Sequence, residues 1–282
     1  MVSLQHTLCY LLSCGGDMNK FRKGIAYCLL PDGIRAYLGP RAYSHFEQNP
    51  ENNDISWYKY PSDLKTLTKE KANLQDMHLA YTLKNSCLGE PSHVDKFVQK
   101  NLHLDYDYFQ GVLTHLIQDY IFDDWVRSKI DCSKQYGPDE EFIFYGKTYK
   151  GEEIRNVIVN LEFYGFHYLS YLIHELYGIV PNQEWFYENV YKVLRKNYSK
   201  DLALKTYKYM KIPEKINEKI TNLDWSDLNV DVINEEYRDL YDQVIMYSID
   251  THRFFRDYYE LGDHEKVKVI TRSNGSNKEN VA

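Results

Sequence analysis

From Asp105 to Lys129 the chain contains no proline, and Phe109, Val112, Leu113, Leu116, Tyr120 and Trp125 recur at close to helical spacing. Apolar residues that return every three or four positions form one stripe along a helix, and the stripe must be buried. The spacing predicts a long helix over about 105–129 at the centre of the fold. Other stretches repeat the pattern. A first helix is expected from about Ser3 to Cys14, stopped by Gly15-Gly16. Asp17 is then placed to cap a second, Met18 to Leu30, with Phe21, Ile25, Cys28 and Leu29 on one face before Pro31. Further helices are expected over about 72–87 and 91–101, from Glu152 to Tyr177 before Gly178, twice between Gln183 and Met210, and from about Asp231 to Leu261.

Glycine and proline are scarce, 14 and 8 among 282 residues, and they fall between these stretches rather than at the short, regular spacing of strands and turns. The expected fold class is therefore all-α, a multi-helix single domain over 1–261, followed by a polar, flexible tail over 262–282. "EEFIFYGKTYKG" is the exception: it reads as a small β-hairpin near 140–151 with Gly146-Lys147 as its turn. "PDGIRAYLGPRAYSHFEQNPENND", from Pro31, reads as irregular, and long irregular segments within a domain are often functional.

The formal net charge is −7 with both signs interspersed, which leaves no basic face of the kind duplex nucleic acid requires. The 27 tyrosines offer stacking surfaces for single-stranded bases, but many lie beside Lys, Asn and Ile in a way that suggests compositional bias. Cys9, Cys14, Cys28, Cys87 and Cys132 include no C-x-x-C pair and sit mostly among apolar neighbours, as small buried hydrophobes do in a reducing compartment. No apolar run reaches the length of a spanning helix. "MVSLQHTLCYLLSCGG" has an apolar centre, but Gln5 and His6 stand where a signal peptide would carry Lys or Arg. The chain is expected to be cytoplasmic. Under the alternative, export with cleavage at Cys14, His6 would be lost.

Inside the central helix, "GVLTHLIQDY" sets His115 four residues before Asp119. Side chains at that spacing share a face about 6 Å apart along the axis, so both can grip one ion. The pair alone is weak, since a structural histidine–carboxylate hydrogen bond has the same spacing, and His103 and Asp107 repeat it. Two details sharpen it. Gly111 stands one turn before His115, where glycine costs about 1 kcal/mol relative to alanine unless another backbone comes close. Asp123 continues the stripe one turn later, and buried carboxylates in a row need cations. Asp32 follows "LLP", and His45 lies in "YSHFE".

A histidine in the first helix, an aspartate in a "PD", a histidine followed by phenylalanine after a loop, then H-x-x-x-D in a long helix: this order, over about residues 4–125, resembles the zinc-dependent phospholipase C family, which is related to the single-strand-specific zinc nucleases. The resemblance implies that His45, His115 and Asp119 bind one zinc, that Asp119 bridges to a second held by His6, and that Asp32 is the general base on the attacking water. Zinc suits such residues: three or four N and O ligands, an open position, and a bound water whose pKa falls toward 7.

The family pattern is incomplete. "YIFDDWV" has no histidine where three-zinc members carry one, and the later helix offers Glu162, His167, His174 and Glu175 without an H-x-x-x-E. Of these, His167 is the more apt to complete a site. No G-x-S-x-G elbow and no G-x-x-x-x-G-K-[ST] phosphate loop is present. The expected function is a metal-dependent hydrolase of phosphate esters, using one or two zinc ions. The rivals are a non-catalytic helical protein that keeps the metal as a structural pin and binds a protein partner, and a single-strand nuclease using Tyr37, Tyr43 and Trp57 as stacking positions.

Overall fold

The computed structural model describes residues 1, 3–38, 63–67, 94–130, 139–228 and 232–260. The fold is all-α with one small hairpin. Helix α1 is Ser3–Ser13, α2 Met18–Cys28, α3 Leu30–Leu38, α4 Val94–Asn101 and α5 Tyr106–Lys129. The hairpin pairs β1, Glu141–Phe144, with β2, Lys147–Lys150, antiparallel. Then follow α6, Gly151–Tyr177; α7, Gln183–Phe186, which runs through a π-turn at Tyr187–Tyr191 into α8, Lys192–Asn197; α9, Lys200–Lys208; α10, Glu214–Thr221; and α11, Val232–Glu260. Among the described residues no helix is long and apolar enough to cross a membrane.

Local chemistry accounts for the boundaries. Gly15 and Gly16, at φ 65° and 74°, turn the chain out of α1. The Asp17 carboxylate accepts from the amides of Asn19 and Lys20 at 2.9 and 3.2 Å, the expected N-cap. Gly178 ends α6 at φ 65°, and its amide donates to the His174 carbonyl at 2.8 Å.

Two boundaries differ from expectation. Pro31 does not open an irregular segment: the break falls at Leu29, and Pro31 sits in the first turn of α3, where its missing N–H matters least and its φ is preset for a helix. Asp32 is therefore a helical residue. The hairpin turn is Tyr145-Gly146, one position earlier than expected, because a two-residue turn of this hand needs positive φ at both centres, here 48° and 73°. Tyr145 donates to the Glu236 carboxylate, which also receives Lys129 Nζ at 2.9 Å, tying the hairpin to α5 and α11.

Helix α5 packs against α2 and α11, as a central helix should. Its faces are buried almost all round from Tyr108 to Asp119, beyond the single stripe that the spacing implied, whereas Tyr120, placed in that stripe, is 44% exposed. The second centre is α1. Every residue from Ser3 to Leu12 is buried, and the helix packs on α2, α5, α6 and α11. Its polar residues are satisfied internally: Gln5 donates to the Glu162 carbonyl at 2.8 Å and to the Tyr241 hydroxyl, and Thr7 donates to the Ser3 carbonyl at 2.8 Å. His45, Tyr43, Trp57, the expected helix over 72–87 and the tail over 262–282 lie outside the described residues.

Candidate metal centre

Three helices converge on one buried point. His6 from α1, Asp32 from α3 and His115 from α5 each offer a ligand atom, and these atoms lie within 4.8 Å of one another. The two imidazoles stack with centroids 3.7 Å apart and planes at 20°, both at 0% exposure. Beside this stack, Gly111 lets α5 come close to the backbone of α2. A Cβ there would stand 2.8 Å from the Gly24 carbonyl oxygen, 2.9 Å from the Cys28 nitrogen and 2.7 Å from the Tyr27 Cβ.

Asp119, one turn after His115 and fully buried, lies against both rings and the chain's amino group. Its Oδ1 accepts from the Met1 amino group at 2.8 Å and lies 3.1 Å from His6 Nε2, while Oδ2 is 3.5 Å from His115 Nε2. Glu162, on α6, reaches the same amino group at 3.9 Å. The other nitrogen of His6, Nδ1, faces Gln118 Oε1 at 2.7 Å. Burial pushes the His6 imidazole below its usual pKa, and neighbouring His115 adds to this while Asp119 opposes it. A neutral ring that donates to Gln118 through Nδ1 turns the Nε2 lone pair toward the centre, which is the form a metal takes. Asp32 is held from behind: Ser3 donates its hydroxyl to Oδ2 at 2.5 Å.

His6, Asp32 and His115 form a group that could hold a metal ion: two imidazoles and a carboxylate from three helices are a donor set suited to a divalent cation.

Of the residues expected at the site, His6, Asp32, His115 and Asp119 come together here. Asp32 stands inside the ligand cluster. Asp123 is buried on the same helix. The second H-x-x-x-D carries no site: His103 is exposed in the turn before α5. His167, the expected extra ligand, is engaged elsewhere, with Nδ1 3.1 Å from Asp227 Oδ1 and Nε2 3.0 Å from the Asp224 carbonyl. It pins the loop after α10 to α6. His167→Ala is expected to lower stability by about 1–3 kcal/mol while leaving metal content at the wild-type level, read by urea denaturation and elemental analysis. Ser3, Gln118 and Glu162 complete the surroundings; the first two gave no signal beyond being polar residues in apolar helices. Compared with family models, with curated proteins and with solved structures, the chain matches none.

Proposed function

We propose that the protein is a metal-dependent hydrolase of phosphate esters, acting in the cytoplasm on a zinc held by His6, His115 and the neighbouring carboxylates. The observation that carries this reading is the buried convergence of His6, Asp32 and His115 from three separate helices. A bound zinc would lower the pKa of a water and neutralise charge on the phosphoryl oxygens. His6 is oriented through Nδ1 by Gln118. Asp32, the least buried member of the cluster at 8% exposure, is the residue we assign as general base. Its carboxylate would take the proton of the attacking water. The oxygen of that water forms the new bond to phosphorus, the ester P–O bond breaks, and the departing alkoxide takes a proton from solvent.

Complete burial of both imidazoles favours a second reading, a closed structural metal site in a protein that binds other proteins. The two part on one experiment. Wild type, His115→Ala and Asp32→Asn are assayed for zinc by elemental analysis and for hydrolysis of a chromogenic phosphodiester, a choline phospholipid and single-stranded DNA. The hydrolase reading requires zinc and turnover in wild type, loss of both in His115→Ala, and turnover reduced on the order of a hundredfold with zinc retained in Asp32→Asn. Zinc without turnover on any substrate leaves the structural pin. Full activity in His115→Ala would sink the metal centre.

A further inference from the structure

Ser248 is fully buried on α11, the helix that packs against both α1 and α5, and the hydrolysis proposed above gives it no part. Its hydroxyl donates to the Val244 carbonyl, one turn earlier, at 2.7 Å. A serine hydroxyl has one proton, so what Oγ offers its other neighbour is a lone pair. That neighbour is Gln118 of α5, whose Nε2 donates to Ser248 Oγ at 3.4 Å.

The consequence is carried to His6. An amide side chain has a donor end and an acceptor end, and Gln118, also fully buried, reaches from Ser248 to His6. With its NH2 on Ser248, its Oε1 faces His6 Nδ1 at 2.7 Å and requires the ring proton there. Nε2 is then the bare nitrogen at the centre, 3.1 Å from Asp119 Oδ1. Two buried acceptors set that close call for a cation between them.

Reversing the amide would give a competing arrangement. Its NH2 would donate to a bare Nδ1, the ring proton would move to Nε2 and donate to Asp119, and the metal position on His6 would be closed. Around His6 both arrangements are satisfied. They differ at Ser248, where the reversed amide sets its oxygen against a hydroxyl whose proton is committed to Val244.

We propose that Ser248 is a positioning residue of the metal centre: through the polarity of Gln118 it keeps the proton of His6 on Nδ1 and leaves Nε2 for the ion. The proposal rests on the metal reading of the centre and not on the hydrolase reading.

The test is the zinc affinity of the full chain, by competition with a chromophoric chelator. Wild type is compared with Ser248→Ala, Ser248→Thr, Gln118→Glu and the combination of Gln118→Glu with Ser248→Ala. Ser248→Ala is expected to weaken zinc binding about tenfold, because Gln118 is then free to reverse, and Ser248→Thr, which keeps the hydroxyl, to restore it. A carboxylate has no donor end. In Gln118→Glu the His6 proton therefore stays on Nδ1 whatever stands at 248, and Ser248→Ala is expected to have no further effect. In nitrogen-15 spectra of the histidines, zinc-loaded wild type is expected to show His6 protonated at Nδ1 and metal-bound at Nε2. Three results would overturn the proposal: equal zinc affinity in wild type and Ser248→Ala; an equally large loss in the Gln118→Glu background, which would reduce Ser248 to packing; or zinc on Nδ1 of His6. Wild type that binds no zinc at all would overturn the metal reading itself, and the proposal with it, a result distinct from those three.

Discussion

Gly111→Leu is expected to destabilise the protein by about 3 kcal/mol, lowering its thermal midpoint by about 6 °C, and to weaken metal binding in the molecules that remain folded. The first added carbon already stands within 2.9 Å of two backbone atoms of α2, the Gly24 oxygen and the Cys28 nitrogen. Backbone in the middle of a helix cannot swing aside as a side-chain tip can, so α2 and α5 must separate along their whole crossing. That crossing also sets how near His115 comes to His6, because α1 packs against both helices. The helix propensity gained on replacing glycine, about 1 kcal/mol, does not offset the overpacking.

Gly33→Ala is the matched control. Its Cβ would meet Thr206 Oγ1 at 2.4 Å, a side-chain atom that can rotate away at the loss of one hydrogen bond to the Leu202 carbonyl, about 1 kcal/mol. Differential scanning calorimetry with zinc titration separates the two. A Gly111→Leu protein with wild-type midpoint and metal affinity would mean that the α2–α5 approach is incidental to the centre.

Gly111 also shows what kind of information a single sequence carries. A glycine one turn before a histidine, inside an otherwise strong helix, announced that another backbone comes close, and it does. The long helices were legible for the same reason: their apolar spacing and their Gly and Asp ends act locally. Pro31 misled because proline is both a stop signal and a good first-turn residue, and only the packing of α3 against α9 decides between them. Helix α10, rich in Lys and Glu, has so short an apolar face that its period does not stand out. At the centre, His115 and Asp119 were readable from their spacing within an apolar helix, and His6 and Asp32 from their order along the chain. Ser3 and Gln118 were not, since orienting another side chain leaves no pattern in the chain. His167 failed as a ligand because Asp224 and Asp227, distant in sequence, claim both its nitrogens.

Asp119→Ala is expected to cost about 3–5 kcal/mol of stability whether or not zinc is present. A residue that serves only as a metal ligand leaves the chelated protein unaffected when removed, since what it bound is already gone. Asp119 is different in kind. It is a fully buried carboxylate with the Met1 ammonium at 2.8 Å, the His6 ring at 3.1 Å and the His115 ring at 3.5 Å. Removing it takes the near carboxylate from the buried Met1 ammonium, leaving it to more distant charge such as Glu162 at 3.9 Å, in a medium where a poorly compensated charge is disfavoured. Asp119→Asn, nearly isosteric and still able to accept, recovers the hydrogen bond but not the charge, and falls between wild type and alanine. Urea denaturation at pH 7 resolves these contributions when each protein is measured with excess zinc and with chelator. With chelator, the difference between wild type and alanine reports the carboxylate's service to its protein partners. The further difference that appears with zinc reports its service to the metal. Identical stabilities of wild type and alanine in chelator would show that Asp119 acts through the ion alone, and that the contacts to Met1, His6 and His115 contribute nothing by themselves.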